Sequence, residues 1–162
     1  MINIPEQSLD SRKISLKDKE GNLLSATVEL GVKDWYENSY RFTECRIKLT
    51  WSGGEIECID VHFFESFKRV REKLAKQDIY PMCYGASRKV VITGMAAEMG
   101  LGLKVYKAEI GGFPSRKQLV SIFDYGEDVE PVTVEVQEEF QQQWAISMMS
   151  SVGWVSDSVT QQ

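Results

Sequence analysis

The chain has 162 residues, of which 43% are hydrophobic and 27% are charged; these proportions are typical of a soluble domain, and the length argues for one domain rather than two. Lys and Arg total 19 against 24 Asp and Glu, which gives a formal net charge of -5. Because nucleic-acid binding requires a surplus of cations, this balance argues against a direct nucleic-acid partner. The apolar runs are too short to cross a bilayer, so we expect no membrane partner.

The N-terminus and the cysteines predict a cytoplasmic protein, and the cysteines and the histidine argue against a metal site. Residues 1–6 lack the basic and apolar regions of a secretory signal. Cys45, Cys58 and Cys83 are odd in number and lack the CxxC spacing of a metal site, which favours three free thiols in a reducing compartment. The single histidine, His62, excludes sites that need two imidazoles. We therefore expect neither a metal nor a cofactor.

Alternating apolar and polar residues predict strands in the first third of the chain. Segments 13–17 and 24–30 flank a turn at 18–22 and predict a hairpin. A polar connection over 31–39 is then expected, followed by a strand at 45–51 and, after Gly53-Gly54, a return strand at 55–61. The apolar phase changes within that last strand, which predicts a β-bulge near Cys58.

Two stretches have the period of an amphipathic helix. The first has apolar residues at offsets of 4, 7 and 11, namely Phe63, Phe67, Val70 and Leu74. Its basic residues are expected on a solvated, salt-bridged face: Lys68, Arg69, Arg71, Lys73 and Lys76. The second is expected to be capped by Thr133 and to pack through residues four positions apart: Val136, Phe140, Trp144 and Met148.

Between the helices, residues 79–84, 103–110 and 119–123 are candidates for short strands. The fold class expected is α+β, a mostly antiparallel β-sheet with the two main amphipathic helices packed on it. Residues 1–150 are expected to form a single domain, and 151–162 a weakly ordered polar tail.

The glycine-rich segment 94–102 lacks the Lys and the Ser or Thr that follow a phosphate-binding loop. A nucleophile at Cys83 or Ser87 would need a base, and His62 could serve only if the fold brought it near. We expect instead that His62 is a buried or capping residue and that Cys83 packs as a small hydrophobe. The sequence therefore indicates no catalytic residues.

A rival hypothesis is an enzymatic or small-ligand-binding domain that uses the region 83–106. Its pocket would be formed by Tyr84, Ser87, Arg88 and Tyr106, with Arg88 as an anion clamp and Ser87 as a hydroxyl donor. A concave pocket that holds these side chains together would favour this hypothesis. Burial of Tyr84 and an ion pair at Arg88 would count against it.

The densest acidic cluster lies in the loop that contains Asp124, Glu127, Asp128 and Glu130. Its simplest interpretation is a solvated loop. Its functional interpretation is a contact surface for a basic protein, since complementary potentials speed association. Calcium binding is disfavoured because the alternation and the glycine of an EF-hand loop are missing.

Six short strings in the second half carry a family resemblance: CYGASR at 83–88, GM at 94–95, MGLGLKVY at 99–106, VSIFD at 120–124, DVEP at 128–131, and 134–144. The chain resembles small bacterial immunity proteins of polymorphic toxin systems, including those of contact-dependent growth inhibition. The resemblance covers well under half of the chain. It implies a cytoplasmic protein that blocks a cognate toxin domain without chemistry, and it transfers no catalytic or interface residue.

The leading functional hypothesis is thus stoichiometric inhibition of a toxin domain, with the acidic loop as the contact surface on charge alone. A basic nuclease would be a suitable target for an acidic inhibitor. A third hypothesis is a purely structural subunit, which a large exposed apolar patch on the sheet would suggest.

Overall fold

The computed structural model describes residues 4–151, with side chains through residue 149. The tail expected at 151–162 lies, apart from Ser151, outside the described residues. The strands are β1 Gln7–Lys17, β2 Leu23–Glu37, β3 Tyr40–Trp51, β4 Gly54–Asp60, β5 Tyr80–Pro81, β6 Val90–Val91, β7 Lys104–Lys107 and β8 Leu119–Ser121. The helices are α1 Phe63–Ala75, α2 Gly94–Met99 and α3 Val134–Ser151.

The first sheet has five strands in the order β4-β3-β2-β1-β5, and all of its pairings are antiparallel. The predicted hairpin of β1 and β2 is confirmed. The Asp18 side chain closes its turn by accepting hydrogen bonds from the backbone amides of Glu20 and Asn22, at 3.0 and 2.8 Å.

The prediction of a polar connection over 31–39 is wrong, because strands β2 and β3 extend through most of this segment and pair continuously. They pair from Ala26 opposite Trp51 to Glu37 opposite Tyr40, and only Asn38 and Ser39 form the turn. Both turn residues have positive φ, 51° and 70°, the conformation that a two-residue hairpin loop requires. The end of this hairpin has water on both faces, so its strands carry no alternating apolar pattern.

The β-bulge expected near Cys58 is also wrong. The register of β3 and β4 is regular from Cys45 opposite Asp60 to Trp51 opposite Gly54. The apolar phase changes because Ile59 and Val61 lie on the solvent side, 52% and 63% exposed. The register does shift in β1, between Ser8 and Ser11.

Helix α1 covers one face of the first sheet, as its apolar spacing predicts. Its four core residues Phe63, Phe67, Val70 and Leu74 are fully buried. They pack against side chains that alternate along β2 and β3, among them Val28, Leu30, Ile47 and Leu49. We call the opposite face of the sheet the outer face. Its side chains include Lys33, Trp35, Phe42, Glu44, Arg46 and Ile59.

The second half of the chain adds a sheet with the order β6-β7-β8, also antiparallel, and helix α3. The prediction for the buried face of α3 is correct at Phe140 and Met148 but wrong at Val136, which is 39% exposed. Gln137 is buried instead, at 1% exposure, because its amide meets polar groups described below.

The α+β fold class, with a mostly antiparallel sheet and the two long helices packed on it, is confirmed. Within residues 4–151, none of the helices has the length and apolar character needed to traverse a bilayer.

Candidate functional site

A cavity of about 600 Å³ opens beside the turn at 84–86 and the edge of β6 and β7. Three of the four residues of the rival hypothesis line it: Tyr84, Ser87 and Arg88. Two residues of the acidic loop, Asp128 and Glu130, line it as well. The two sequence-derived sites, proposed separately, therefore meet at one cavity.

Tyr84 anchors the acidic loop at the floor of this cavity. The side chain is 7% exposed, and its hydroxyl donates a 2.6 Å hydrogen bond to Asp128 Oδ1. Lys107 pairs with Asp128 Oδ2 at 3.2 Å and lies 5.5 Å from the centre of the Tyr84 ring. Burial, and then this hydrogen bond, raise the pKa of Tyr84 to about 12. The same hydrogen bond, assisted by Lys107, lowers the pKa of Asp128.

Ser87 and Arg88 fasten the next part of the loop. The Ser87 hydroxyl accepts a 2.9 Å hydrogen bond from the backbone amide of Glu130, and Ser87 is 3% exposed. Arg88 Nε pairs with Glu130 Oε2 at 2.9 Å, while its backbone amide donates to the Glu130 carbonyl at 3.0 Å. The concave pocket favours the rival hypothesis, but the buried Tyr84 and the Arg88 ion pair are the two observations that count against it.

Tyr106, the fourth predicted pocket residue, does not line the cavity, and its placement there was wrong. It packs against a separate cluster formed by Val91, Ala108 and Phe140. The reason is the alternation of β7: Lys107 faces the cavity, so its neighbour Tyr106 faces the other side of the strand.

The acidic loop is bonded mainly to its own chain. Asp124 pairs with Arg12 of β1, while Asp128 and Glu130 hold Tyr84 and Arg88 as described. In the part of the chain that the structure describes, Glu127 is exposed and makes no hydrogen bond or ion pair. Of the four carboxylates predicted to contact a partner, three therefore bond residues of the same chain.

Two glycines let this region close up. A Cβ added at Gly126 would overlap the Tyr84 hydroxyl, so the loop could not approach that closely with a larger residue. A Cβ at Gly85 would lie 2.8 Å from Phe67 and 2.9 Å from the Ile122 carbonyl oxygen. Gly85, which lies in one of the resemblance strings, and Gly126, which lies outside them, therefore have packing roles here.

Arg71 overturns part of the prediction for α1, because it is 3% exposed and not on a solvated face. Its guanidinium donates to the carbonyls of Gly85 and Val132, at 3.0 and 2.8 Å, and to Gln137 Oε1 at 2.6 Å. Gln137 Nε2 in turn donates to the carbonyls of Gly85 and Ser87. Burial lowers the pKa of Arg71 to about 10, so the group remains a cation at neutral pH.

Lys68 was also expected in solvent and is 8% exposed. Its ammonium bonds Glu65 at 3.1 Å and Glu138 of α3 at 3.2 Å, and it lies 4.9 Å from the centre of the Phe64 ring. Lys68 and Arg71 thus join α1 to α3. Sequence reasoning missed both because Glu138, the second partner of Lys68, and all the partners of Arg71 lie between 14 and 70 positions away along the chain.

The candidate nucleophile and base have structural roles. Cys83 is fully buried, and burial raises the pKa of its thiol to about 12. His62 caps α1: its Nδ1 accepts a 3.2 Å hydrogen bond from the Glu65 amide, and burial lowers the imidazole pKa. All three cysteines are free and buried. The interpretations of His62 as a cap and Cys83 as a packed residue are confirmed.

Among the described residues, no group of three His, Cys, Asp or Glu side chains is placed to hold a metal ion. In comparisons with known proteins, no family model matches the chain and no curated protein is significantly similar to it.

Proposed function

We propose that this chain is a cytoplasmic immunity protein that binds and neutralises a cognate bacterial toxin domain by stoichiometric contact, without making or breaking bonds. One observation carries most of the support: each of the three polar side chains that the rival hypothesis places in a pocket at 84–88 already bonds the acidic loop of the same chain. The Ser87 hydroxyl and the Arg88 guanidinium both bind Glu130, and the Tyr84 hydroxyl binds Asp128. A nucleophile or anion clamp needs a free group aimed at a ligand.

The charge of the chain supports the choice of partner. With a formal net charge of -5, the protein attracts a cationic surface by long-range electrostatics. Toxins that cleave nucleic acids need such a surface to hold phosphates. We therefore propose a basic toxin domain, such as a nuclease, as the target.

The test uses the C-terminal domain of the protein encoded directly upstream of this chain. We expect a 1:1 complex by size-exclusion chromatography with light scattering, and recovery of bacterial growth when the two are co-expressed. The matched control is Ser87→Ala, with its fold checked by circular dichroism because the hydroxyl also accepts the Glu130 amide. We expect it to keep protection, because binding needs no nucleophile. If the wild-type chain neither binds this domain nor restores growth, the proposal is wrong.

A second candidate function, binding of a small ligand, is favoured by the cavity of about 600 Å³ alone, since that volume lies in the range of ligand pockets. Phe113 at its rim is 68% exposed and could cover an apolar ligand. A metabolite screen by thermal shift distinguishes the two functions. Stabilisation of the wild-type chain by a metabolite that disappears in Arg88→Gln would favour the ligand-binding function. Protection by the wild-type chain, with no metabolite stabilising it, would favour the immunity function.

A further inference from the structure

The end of the β2–β3 hairpin projects beyond the rest of the first sheet. Pairing of β1 with β2 stops at Gln7 opposite Val32, and pairing of β4 with β3 stops at Asp60 opposite Cys45. Within residues 4–151, segments 33–37 and 40–44 therefore pair only with each other. We call residues 33–44 the ribbon; at about 3.3 Å per residue it extends roughly 16 Å past its neighbours.

On the face of the ribbon opposite to the outer face, polar side chains bond to one another. Arg41 donates two hydrogen bonds of 2.9 Å to the carboxylate of Asp34, and the Thr43 hydroxyl adds a third at 3.0 Å. These contacts cross between the two strands. They fix the ribbon as a paired structure without help from the core.

The outer face of the ribbon carries aromatic side chains that the rest of the chain leaves exposed. Trp35 stacks on Phe42, with ring centres 5.8 Å apart and planes 17° from parallel. Phe42 is 41% exposed and Tyr40, near the tip, is 73% exposed. Ile59 of β4 lies on the same face, 52% exposed. Tyr and Trp are the residues most enriched among the energetically dominant positions of protein interfaces.

Carboxylates lie on both sides of this aromatic group. Glu37 lies opposite Tyr40 at the tip, and Glu44 lies opposite Lys33 on the other side of Trp35 and Phe42. Glu6 and Glu57 lie farther along the same face, on Arg46. The same area holds three cations, Lys33, Arg46 and Lys48. Arg46 is held by Glu6 and Glu57 at 2.7 Å, and Lys48, opposite Glu57, pairs with Glu55 at 3.5 Å. Among the described residues, Glu37 accepts a 3.3 Å hydrogen bond from the Trp35 indole and makes no ion pair, and Glu44 makes neither a hydrogen bond nor an ion pair. An apolar centre with an acidic rim complements a surface that presents Lys and Arg.

We infer that the outer face of the ribbon, and not the acidic loop, is the docking surface for the toxin domain, and that the part of the toxin that it contacts is basic. This inference rests on the proposed function and specifies its surface. The carboxylate rim of a second copy, or the phosphates of a nucleic acid, would meet like charge here. A basic protein surface gains both ion pairs and cation–π contacts with Tyr40 and Trp35.

The test compares two exposed tyrosines in binding to the upstream-encoded domain by surface plasmon resonance. We expect Tyr40→Ala, on the ribbon, to raise the Kd at least about tenfold. The matched control is Tyr125→Ala, whose side chain is 61% exposed in the acidic loop; we expect its Kd within about twofold of wild type. The double reversal Glu37→Lys and Glu44→Lys should slow association at low salt by about tenfold or more.

The outcomes separate this inference from the function on which it rests. If the wild-type chain binds and the ribbon variants bind equally well, the ribbon is not the docking surface, although the immunity function stands. If Tyr125→Ala or Glu127→Lys weakens binding more than the ribbon variants, the acidic loop is the surface instead. A dimer of the isolated chain that Tyr40→Ala dissociates would assign the ribbon to self-association and overturn the inference. Circular dichroism spectra equal to wild type establish that each variant is folded.

Discussion

The cavity and the ribbon differ in where their charged groups find partners. Along the cavity the cations bind carboxylates of the same chain: Arg88 with Glu130, Lys89 with Glu109, and Lys107 with Asp128. On the outer face of the ribbon, Glu37 and Glu44 have no cation within ion-pair distance among the described residues. A dense cluster of charges in a sequence is therefore a weak guide to a binding surface, because its members can form ion pairs with other residues of the same chain in the folded state.

The largest expected effect concerns Arg71, which holds the cavity region to α1. We expect Arg71→Ala to lower the free energy of unfolding by about 3–5 kcal/mol, because the carbonyl of Val132 and the amide of Gln137 lose a charged donor inside the core. Urea denaturation followed by circular dichroism measures this loss. Lys76→Ala, at an exposed position just after the same helix, is the control and should change stability by less than about 0.5 kcal/mol. A similar small change for Arg71→Ala would mean that the joint between α1 and α3 carries little stability.

A smaller effect is expected for Tyr84→Phe, which removes the hydroxyl that holds Asp128. We expect a loss of about 1–2 kcal/mol near neutral pH, typical of a hydrogen bond to a charged group. Asp128 has a lowered pKa in the folded chain, so its contribution exists above the unfolded pKa of about 4 and disappears as the pH falls further. Tyr84 has a raised pKa, so its contribution exists below about pH 10 and disappears as the pH rises toward 12.

The stability difference between wild type and Tyr84→Phe should therefore be largest between about pH 5 and 9 and shrink at both ends. Denaturation midpoints measured across pH 2.5 to about 11 test this shape. A difference that does not vary with pH would show that the hydrogen bond to Asp128 contributes nothing and that only packing changed.

The smallest effect on stability is expected at the ribbon. Tyr40→Ala should change the free energy of unfolding by less than about 0.5 kcal/mol, because the side chain is 73% exposed and lies beyond the core. Urea denaturation checks it, with Phe67→Ala in the core as the contrasting variant. A loss above about 2 kcal/mol for Tyr40→Ala would mean that the ribbon belongs to the cooperative core and would remove the contrast with the cavity.

The elements that the sequence predicts well are those with one buried face. The hairpin of β1 and β2 and the helix α1 were predicted because burial on one side imposes a period of two or of 3.6 residues on the apolar side chains. The ribbon could not be predicted in this way. Water reaches both of its faces, so Asp34 and Arg41 occupy positions that apolar residues would fill within the sheet.

The candidate site was predicted only in part. Tyr84, Ser87 and Arg88 do line one cavity, since they are close in sequence and share one turn. Tyr106 was misplaced because the register of β7, not its composition, decides which side chain faces the cavity. The burial of Arg71 depends on carbonyls of residues 85 and 132, which come near only when the chain has folded.

The imidazole that caps α1 has a consequence for how the molecule responds to acidity. His62 is the single histidine of the chain, and its pKa lies below the usual 6.5 because it is partly withdrawn from water. Burial also raises the pKa of the Cys45 and Cys83 thiols to about 12. Between pH 7 and 8 the histidine and these thiols therefore stay uncharged. Within that interval these three side chains impose no pH dependence on the affinity for a partner.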